Sequence, residues 1–171
     1  SLQYAGAITL TKSATVQAKA FKAGLAESAT ASASYRCTVL YVDAARPDDS
    51  GDGSSWQTAK RTIQAAITAA IAGDTVLVTN GIYNTGASVT PGYSVSNRVV
   101  ITNAITIRSV NGADSTIIEG AGLTAYGTAE AVRCVYMSAG LLDGFTLRNG
   151  ATFDAAQSSS PYDYSGGGDC M

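Results

Sequence analysis

Three short β-like runs each end on Asn-Gly: residues 75–79 before Asn80-Gly81, 105–110 before Asn111-Gly112, and 145–148 before Asn149-Gly150. A strand that recurs with the same turn, a few tens of residues apart, marks a stacked repeat whose units bury their apolar faces against one another. Further short runs at 98–102, 115–119, 132–137 and 141–148 are separated by Gly-, Asn- and Ser-rich segments. The competing fold is an antiparallel sandwich, because Asn-Gly is also the signature of a type I′ hairpin. Three features favour parallel circuits: the strand-turn register repeats, the strands are very short, and a helix precedes them. Asn also takes readily to the left-handed conformation that a tight bend needs. On this reading Ile105-Thr106-Ile107-Arg108 and Phe145-Thr146-Leu147-Arg148 are equivalent, which sets Arg108 and Arg148 at matching outward positions.

The helix is expected over 58–72, where Ile63, Ala66, Ile67, Ala70 and Ile71 form one apolar stripe at helical spacing. Thr58 or Thr62 would cap it, or Ser54 with Gln57 if it begins earlier, and Gly73 would stop it. Its narrow Ala/Ile face suits packing on a sheet end better than docking a partner, and the open end of a stacked repeat needs a cover. Before it, 36–43 reads as a strong strand with Cys37, Val39 and Tyr41 on one face. The loop that follows holds Asp48, Asp49 and Asp52. A calcium loop starting at Asp48 fits at Asp52 and Gly53 but fails at Ala59, where a bidentate Glu is required. That leaves either a looser calcium site or an Asp/Gly turn.

Residues 3–35 alternate apolar and polar. Ile8 and Leu10 mark one strand, 15–20 a half-buried second, 22–28 a turn around Gly24, and 29–35 a weak third strand. Small alternating strands with short turns imply an antiparallel sandwich. The charge balance changes at the same place. Residues 1–42 carry Lys12, Lys19, Lys22 and Arg36 against Glu27, whereas acidic residues dominate the remainder, so two modules are expected.

Charged residues make up 14% of the chain, below the roughly 25% of an average soluble domain. Ser, Thr, Gly and Ala take their place, which suits β-structure with a neutral polar exterior. The net charge is −2 and no Lys/Arg cluster is present, so nucleic acid is not an expected partner. No apolar run approaches the ~20 residues of a membrane helix. The chain begins inside a strand-like pattern and ends straight after a Gly run, which reads as a fragment cut at both ends. Cys37, Cys134 and Cys170 show no CxxC spacing, so zinc is not expected. They read as buried apolar side chains, or as a Cys134–Cys170 bridge between neighbouring circuits.

Two resemblances follow from these motifs. Tyr4, Gly6, Ile8, Leu10, Val16, Ala18, Ala20, Phe21, Lys22, Gly24 and Ser28 fit a Tyr-x-Gly-x-Ile-x-Leu strand, then Thr-x-Val-x-Ala-x-Ala-Phe-Lys-x-Gly, then a Ser-rich strand. This resembles the second half of the chitobiase C-terminal-type module. That resemblance implies a partial immunoglobulin-like accessory domain over 1–35, with no catalytic residues, in extracellular bacterial proteins. Residues 41–171 carry Tyr-Val-Asp, a Gly/Asp loop, Trp-x-Thr, Ile-x-x-Ala-Ile, Ala-Gly-Asp-Thr-Val and Gly-x-Tyr. They go on to Leu142-Asp143-Gly144-Phe145-Thr146-Leu147-Arg148-Asn149-Gly150. This resembles the N-terminal cap and first coils of right-handed parallel β-helix proteins of the pectate-lyase-like superfamily. The fold expected is therefore mainly β. A right-handed parallel β-helix solenoid over 36–171, truncated at its C-terminal end, carries an N-terminal capping helix and follows a partial β-sandwich module.

These motifs are structural. With no His in the chain, every Ser-His or Cys-His nucleophile and every His-ligated metal is excluded within it. The resemblance implies that a lyase of this fold holds calcium with clustered acids and uses an Arg or Lys base. A glycosidase needs two carboxylates ~5–9 Å apart. The residues of suitable type are Arg108, Glu119, Asp143, Arg148 and Asp154, and they read equally as a surface column. No catalytic, cofactor-binding or metal-ligating residue is assigned. The function expected is a non-catalytic extracellular or cell-surface scaffold, glycan-binding or adhesive. Tyr83, Tyr93, Tyr126, Tyr136, Tyr162 and Tyr164 are candidates for stacking on sugar rings, or ordinary packing. The alternative is part of a polysaccharide lyase or glycoside hydrolase whose catalytic coils lie beyond residue 171.

Overall fold

The computed structural model describes residues 5–6, 8, 14–35, 38–121 and 131–152. The chain divides into two compact units, Ser1–Thr38 and Val39–Met171. It is mainly β, with several parallel sheets.

In the first unit, β1 (Ala14–Ala18) pairs antiparallel with β2 (Ala31–Tyr35), with Val16 opposite Ala33. The connecting turn has Gly24 at φ 79°. Ser28 closes it: its Oγ accepts from the Ala20 N–H at 2.9 Å, and its own N–H donates to Ala20 O. The expected half-buried face is only partly realised. Val16 is half-buried, but Ala18 and Ala20 are exposed, as are Phe21 at 65% and Leu25 at 67%. Within this unit the described residues form the β1-β2 sheet alone. Ile8 lies outside any strand, and Leu10 lies outside the described residues.

The second unit contains β3 (Val39–Val42), α1 (Ile63–Ala69), β4 (Thr75–Val78), β5 (Gly81–Tyr83), β6 (Ser88–Val89), β7 (Ser96–Ile101), β8 (Thr106–Ser109), β9 (Thr116–Glu119), β10 (Val132–Met137), β11 (Leu141–Asp143) and β12 (Thr146–Arg148). They form three sheets, in the orders β11-β8-β4-β3, β12-β9-β5 and β10-β7-β6. All pairings are parallel except the two-residue β6 against β7. From β4 onward the chain visits the first, second and third sheets in fixed rotation, so each strand lies beside the strand one circuit earlier. An Asn-Gly hairpin would instead pair β5 back onto β4. β5 pairs with β9, which removes the antiparallel sandwich as the fold of this unit.

The repeat differs from its sequence reading in one respect. Arg108 and Arg148 are not equivalent. Arg108 is in register with Leu77 and Asp143 on the first sheet, and Arg148 with Glu119 on the second. The single run expected over 141–148 is two strands, broken at Gly144, whose φ is 80°. Only the first two Asn-Gly pairs share a corner, where Asn111 Nδ2 donates to Asn80 Oδ1 at 2.7 Å across 31 residues. Asn149 closes a different corner and is the non-glycine residue at positive φ, 54°, among the described residues.

Alternation explains the core. Leu40, Val42, Val76, Val78, Ile107, Ile118, Val99 and Ile101 point inward from three sides and are buried. Each such side chain contributes about 1.5–3 kcal/mol relative to exposure. α1 adds Ile63, Ala66 and Ile67 and packs against β3, β4 and β7. It is shorter than the expected 58–72 because the preceding residues serve β3. Lys60 bridges Val42, and the Tyr41 N–H donates to Gly53 O, so this segment covers the outer edge of β3. Thr62 is the N-cap, its Oγ1 accepting from the Ala65 N–H. Ile71 falls beyond the helix and is 49% exposed. Gln64 Oε1 accepts from the Val100 N–H at 2.7 Å, so the helix also satisfies a backbone donor of β7.

Two glycines separate backbone strain from packing. Gly92 has φ 83° and open space where a Cβ would lie. Gly92→Ala is therefore expected to cost about 1–2 kcal/mol, the left-handed penalty of an L residue. Gly140 has φ 81°, and its Cβ would lie 2.6 Å from Ile105 O. Gly140→Ala is expected to add about 1–3 kcal/mol of overpacking. Urea unfolding midpoints of the two variants would rank them.

Candidate functional site

The outer face of the first sheet carries one residue per strand in register: Tyr41, Leu77, Arg108 and Asp143. Arg108 Nε donates to Asp143 Oδ2 at 2.9 Å. Both side chains are at least half-exposed, so the pair contributes at most about 1 kcal/mol. Tyr41 meets the only tryptophan of the chain. The rings of Tyr41 and Trp56 are edge-on, with centroids 4.6 Å apart and planes at 65°. Trp56 remains 37% exposed.

The loop that presents Trp56 is held by the three aspartates. Asp52 Oδ1 accepts from the Ser54 N–H at 2.9 Å, the Ser54 hydroxyl at 2.8 Å and the Thr58 hydroxyl at 2.6 Å. The Thr58 bond first, then those from Ser54, pulls its pKa down to about 2. Asp49 accepts from the Thr62 N–H and hydroxyl, at 2.8 and 2.9 Å, and so steadies the start of α1. Asp48 closes its own turn by accepting from the Ser50 N–H. Each carboxylate is engaged with a separate protein partner. Among the described residues no group of three His, Cys, Asp or Glu side chains is placed to hold a metal ion.

Beside Trp56 is an open depression lined by Asp43, Arg46, Trp56, Gln57, Thr79 and Val110. Thr79 and Val110 come from equivalent corners of successive circuits, and the other four come from β3's end and the loop after it. Arg46 donates from Nη1 to Gln57 O at 2.8 Å, and its Nε lies 3.8 Å from Asp43 Oδ2. Asp43 Oδ1 accepts from the Ala45 N–H. The surface thus offers an aromatic ring, a guanidinium, a carboxylate and an amide within one shallow concavity. No family model, curated protein or solved structure matches this chain.

A second cluster lies on the sheet of β5, β9 and β12. Glu119 accepts from Arg148 Nε at 3.0 Å, Asn149 Nδ2 at 2.8 Å and Asn84 Nδ2 at 3.4 Å. Its carboxylate ties three successive circuits. Buried Arg98 approaches from β7, donating from Nε to Glu119 O at 2.8 Å and from Nη1 to Gly86 O. Burial lowers the Arg98 pKa, and Cys134 and Glu119 offset it. At Glu119 burial acts to raise the pKa, but the bonds from Asn149 and Arg148 outweigh it and the net shift is downward.

Of the residues singled out in the sequence, Arg108 meets Asp143 and Glu119 meets Arg148, on different sheets; Asp154 lies outside the described residues. Tyr83 is no stacking surface. It is 4% exposed, and its hydroxyl donates to Thr79 O at 2.8 Å. Tyr93 is 41% exposed and Tyr136 half-buried. Tyr126, Tyr162, Tyr164, Cys37 and Cys170 lie outside the described residues. Cys134 is buried, with Sγ 3.1 Å from Arg148 O. Trp56, Asp43, Arg46 and Gln57 were missed as a group, since only the return of the loop to β3 brings them together.

The Glu119 cluster has a pH signature. A carboxyl whose folded pKa lies below its unfolded value contributes stability that is present above the unfolded value and lost as pH falls through the folded one. Urea midpoints are therefore expected to fall on acidification below the usual Glu range, and Glu119→Gln to show a smaller fall than the native chain.

Proposed function

We propose that the unit Val39–Met171 is a right-handed parallel β-helix with an N-terminal cap that serves as a non-catalytic, extracellular or cell-surface glycan-binding scaffold. The first unit is then the accessory module whose motifs it shares. Support for the architecture comes from the rotation of the strands through three sheets, the Asn80–Asn111 stack and the helix packed at β3. Support for the ligand comes chiefly from one observation: exposed Trp56, braced edge-on by Tyr41, stands over a depression that also holds Asp43, Arg46 and Gln57. An aromatic face packs on the apolar face of a sugar ring, while carboxylate, guanidinium and amide groups bond its hydroxyls. A shallow, open surface suits one stretch of a longer chain better than an enclosed small molecule. Among the described residues no helix is long and apolar enough to cross a membrane.

The test is retention of the full chain on immobilised neutral and acidic polysaccharides, with product formation followed in the same samples. Trp56→Ala is expected to weaken retention about tenfold, the equivalent of ~1.4 kcal/mol of lost aromatic contact. Loss of the Tyr41 contact should cost about 0.5–1.5 kcal/mol or somewhat more of stability, and the urea midpoint should show the variant still folded under the conditions of the retention assay. Retention that survives both Trp56→Ala and Arg46→Ala would sink this site, and failure on every polysaccharide would sink the glycan reading. Appearance of unsaturated or reducing-end product would replace the scaffold with a lyase or hydrolase.

A further inference from the structure

We infer that Asn149-Gly150 is a site of spontaneous deamidation in the folded protein, and that Asn80-Gly81 and Asn111-Gly112 are protected from it. All three asparagines are exposed, and all three precede glycine, the residue that least obstructs attack by its own backbone nitrogen. Sequence and exposure therefore do not distinguish them. Geometry does.

In this reaction the backbone nitrogen of the following glycine bonds to Cγ of asparagine. The side-chain nitrogen leaves as ammonia, taking the proton that the backbone nitrogen loses, and a five-membered imide remains. Water then opens one of the two imide C–N bonds, giving aspartate or its β-linked isomer. The attacking nitrogen must be free. At Gly81 the N–H is engaged by Ser115 O at 2.9 Å, and at Gly112 by Ser109 Oγ at 3.0 Å. The two side-chain amides are also bonded to each other, at 2.7 Å. At Gly150 the backbone N–H has no acceptor among the described residues, whereas its neighbour Ala151 donates to Val132 O. Asn149 itself sits at φ 54°, outside the strand ladder. Attack at Asn80 or Asn111 requires both the glycine N–H and the side-chain amide to leave their partners; at Asn149 the attacking Gly150 N–H has no ladder bond to break, and the Asn149 amide must leave Glu119.

The product has a structural consequence. Asn149 Nδ2 now donates to Glu119 Oε1 at 2.8 Å. Conversion replaces that donor with a carboxylate oxygen, so two negative groups face each other and both depend on Arg148. In the β-linked product an extra methylene also enters the backbone beside Gly150, where a Cβ would already lie 3.0 Å from Cys134 Sγ. Both changes loosen β12 from β9.

The full chain is held folded, and in parallel unfolded in urea, at mildly alkaline pH. It is then digested, and the asparaginyl, aspartyl and isoaspartyl peptides of each site are separated and quantified by mass. In urea the three sites should convert at similar rates. In the folded chain Asn80 and Asn111 should slow relative to their unfolded rates by about tenfold or more beyond any slowing of Asn149, at least ~1.4 kcal/mol of additional opening. Asn149→Asp should lower the urea midpoint at neutral pH more than Asn149→Ser does. Equal protection of all three sites, or Asn149 slowest, would overturn the assignment.

Discussion

Every strand of the second unit except the two-residue β6 depends on the backbone of the strand one circuit away. A buried N–H or C=O without a partner costs about as much as a lost hydrogen bond, and parallel neighbours cannot be supplied by a hairpin. The chain therefore completes a whole circuit before each strand is satisfied. The start of such a fold is its weak point, since β3 has no earlier circuit to pair with. The protein meets this need with the segment around Gly53 and Lys60, which takes up the outer bonds of β3. Gln64 of α1 does the same for Val100 of β7. Asp49 and Asp52 hold these covering pieces in place, which gives the acidic residues of the loop a structural role.

The alternation of the strands divides labour cleanly. Inward side chains such as Val42, Val76 and Ile107 fill the space between the sheets and are fully buried. Outward ones form rows across neighbouring circuits, and those rows carry the polar chemistry. The Arg108–Asp143 and Arg148–Glu119 pairs look alike, yet their settings differ. The first is at least half-exposed on both sides, whereas Glu119 is 18% exposed and gathers donors from the circuits on either side of its own. The same pair of residue types serves as surface decoration in one place and as a clasp in the other.

Much of this was legible in the chain. The Asn-Gly recurrence at the first two corners, the inward stripe of Ile63, Ala66 and Ile67 and the Thr62 cap each follow from local physics and have their counterparts in the structure, whereas the helix ends at Ala69, before the expected stop at Gly73. The boundaries of α1 were not legible, because residues 58–60 have helical pattern but are claimed by a strand edge. Nor was the phase of the repeat. Phe145–Arg148 imitates Ile105–Arg108 residue for residue in type, and only the bend at Gly144 moves it to the second sheet. For Tyr83 the sequence left stacking and packing both open, and packing holds because its hydroxyl is satisfied by the corner carbonyl of Thr79. The Trp56 depression joins residues whose proximity arises from a returning loop, and no periodic signal encodes it.

The spacing of equivalent residues is uneven. Asn111 stacks on Asn80 across 31 residues, while Asp143 meets Arg108 across 35. The strands stay in register, so the additional length is absorbed in the connections between them. A frame of this kind tolerates insertion at its bends much as a spring tolerates ornament on its outer rim. Loop length costs little, each doubling adding only about 0.6 kcal/mol of closure entropy. Lineages of such chains can therefore remodel what they display to their surroundings while the buried lattice of valines and isoleucines stays as it is.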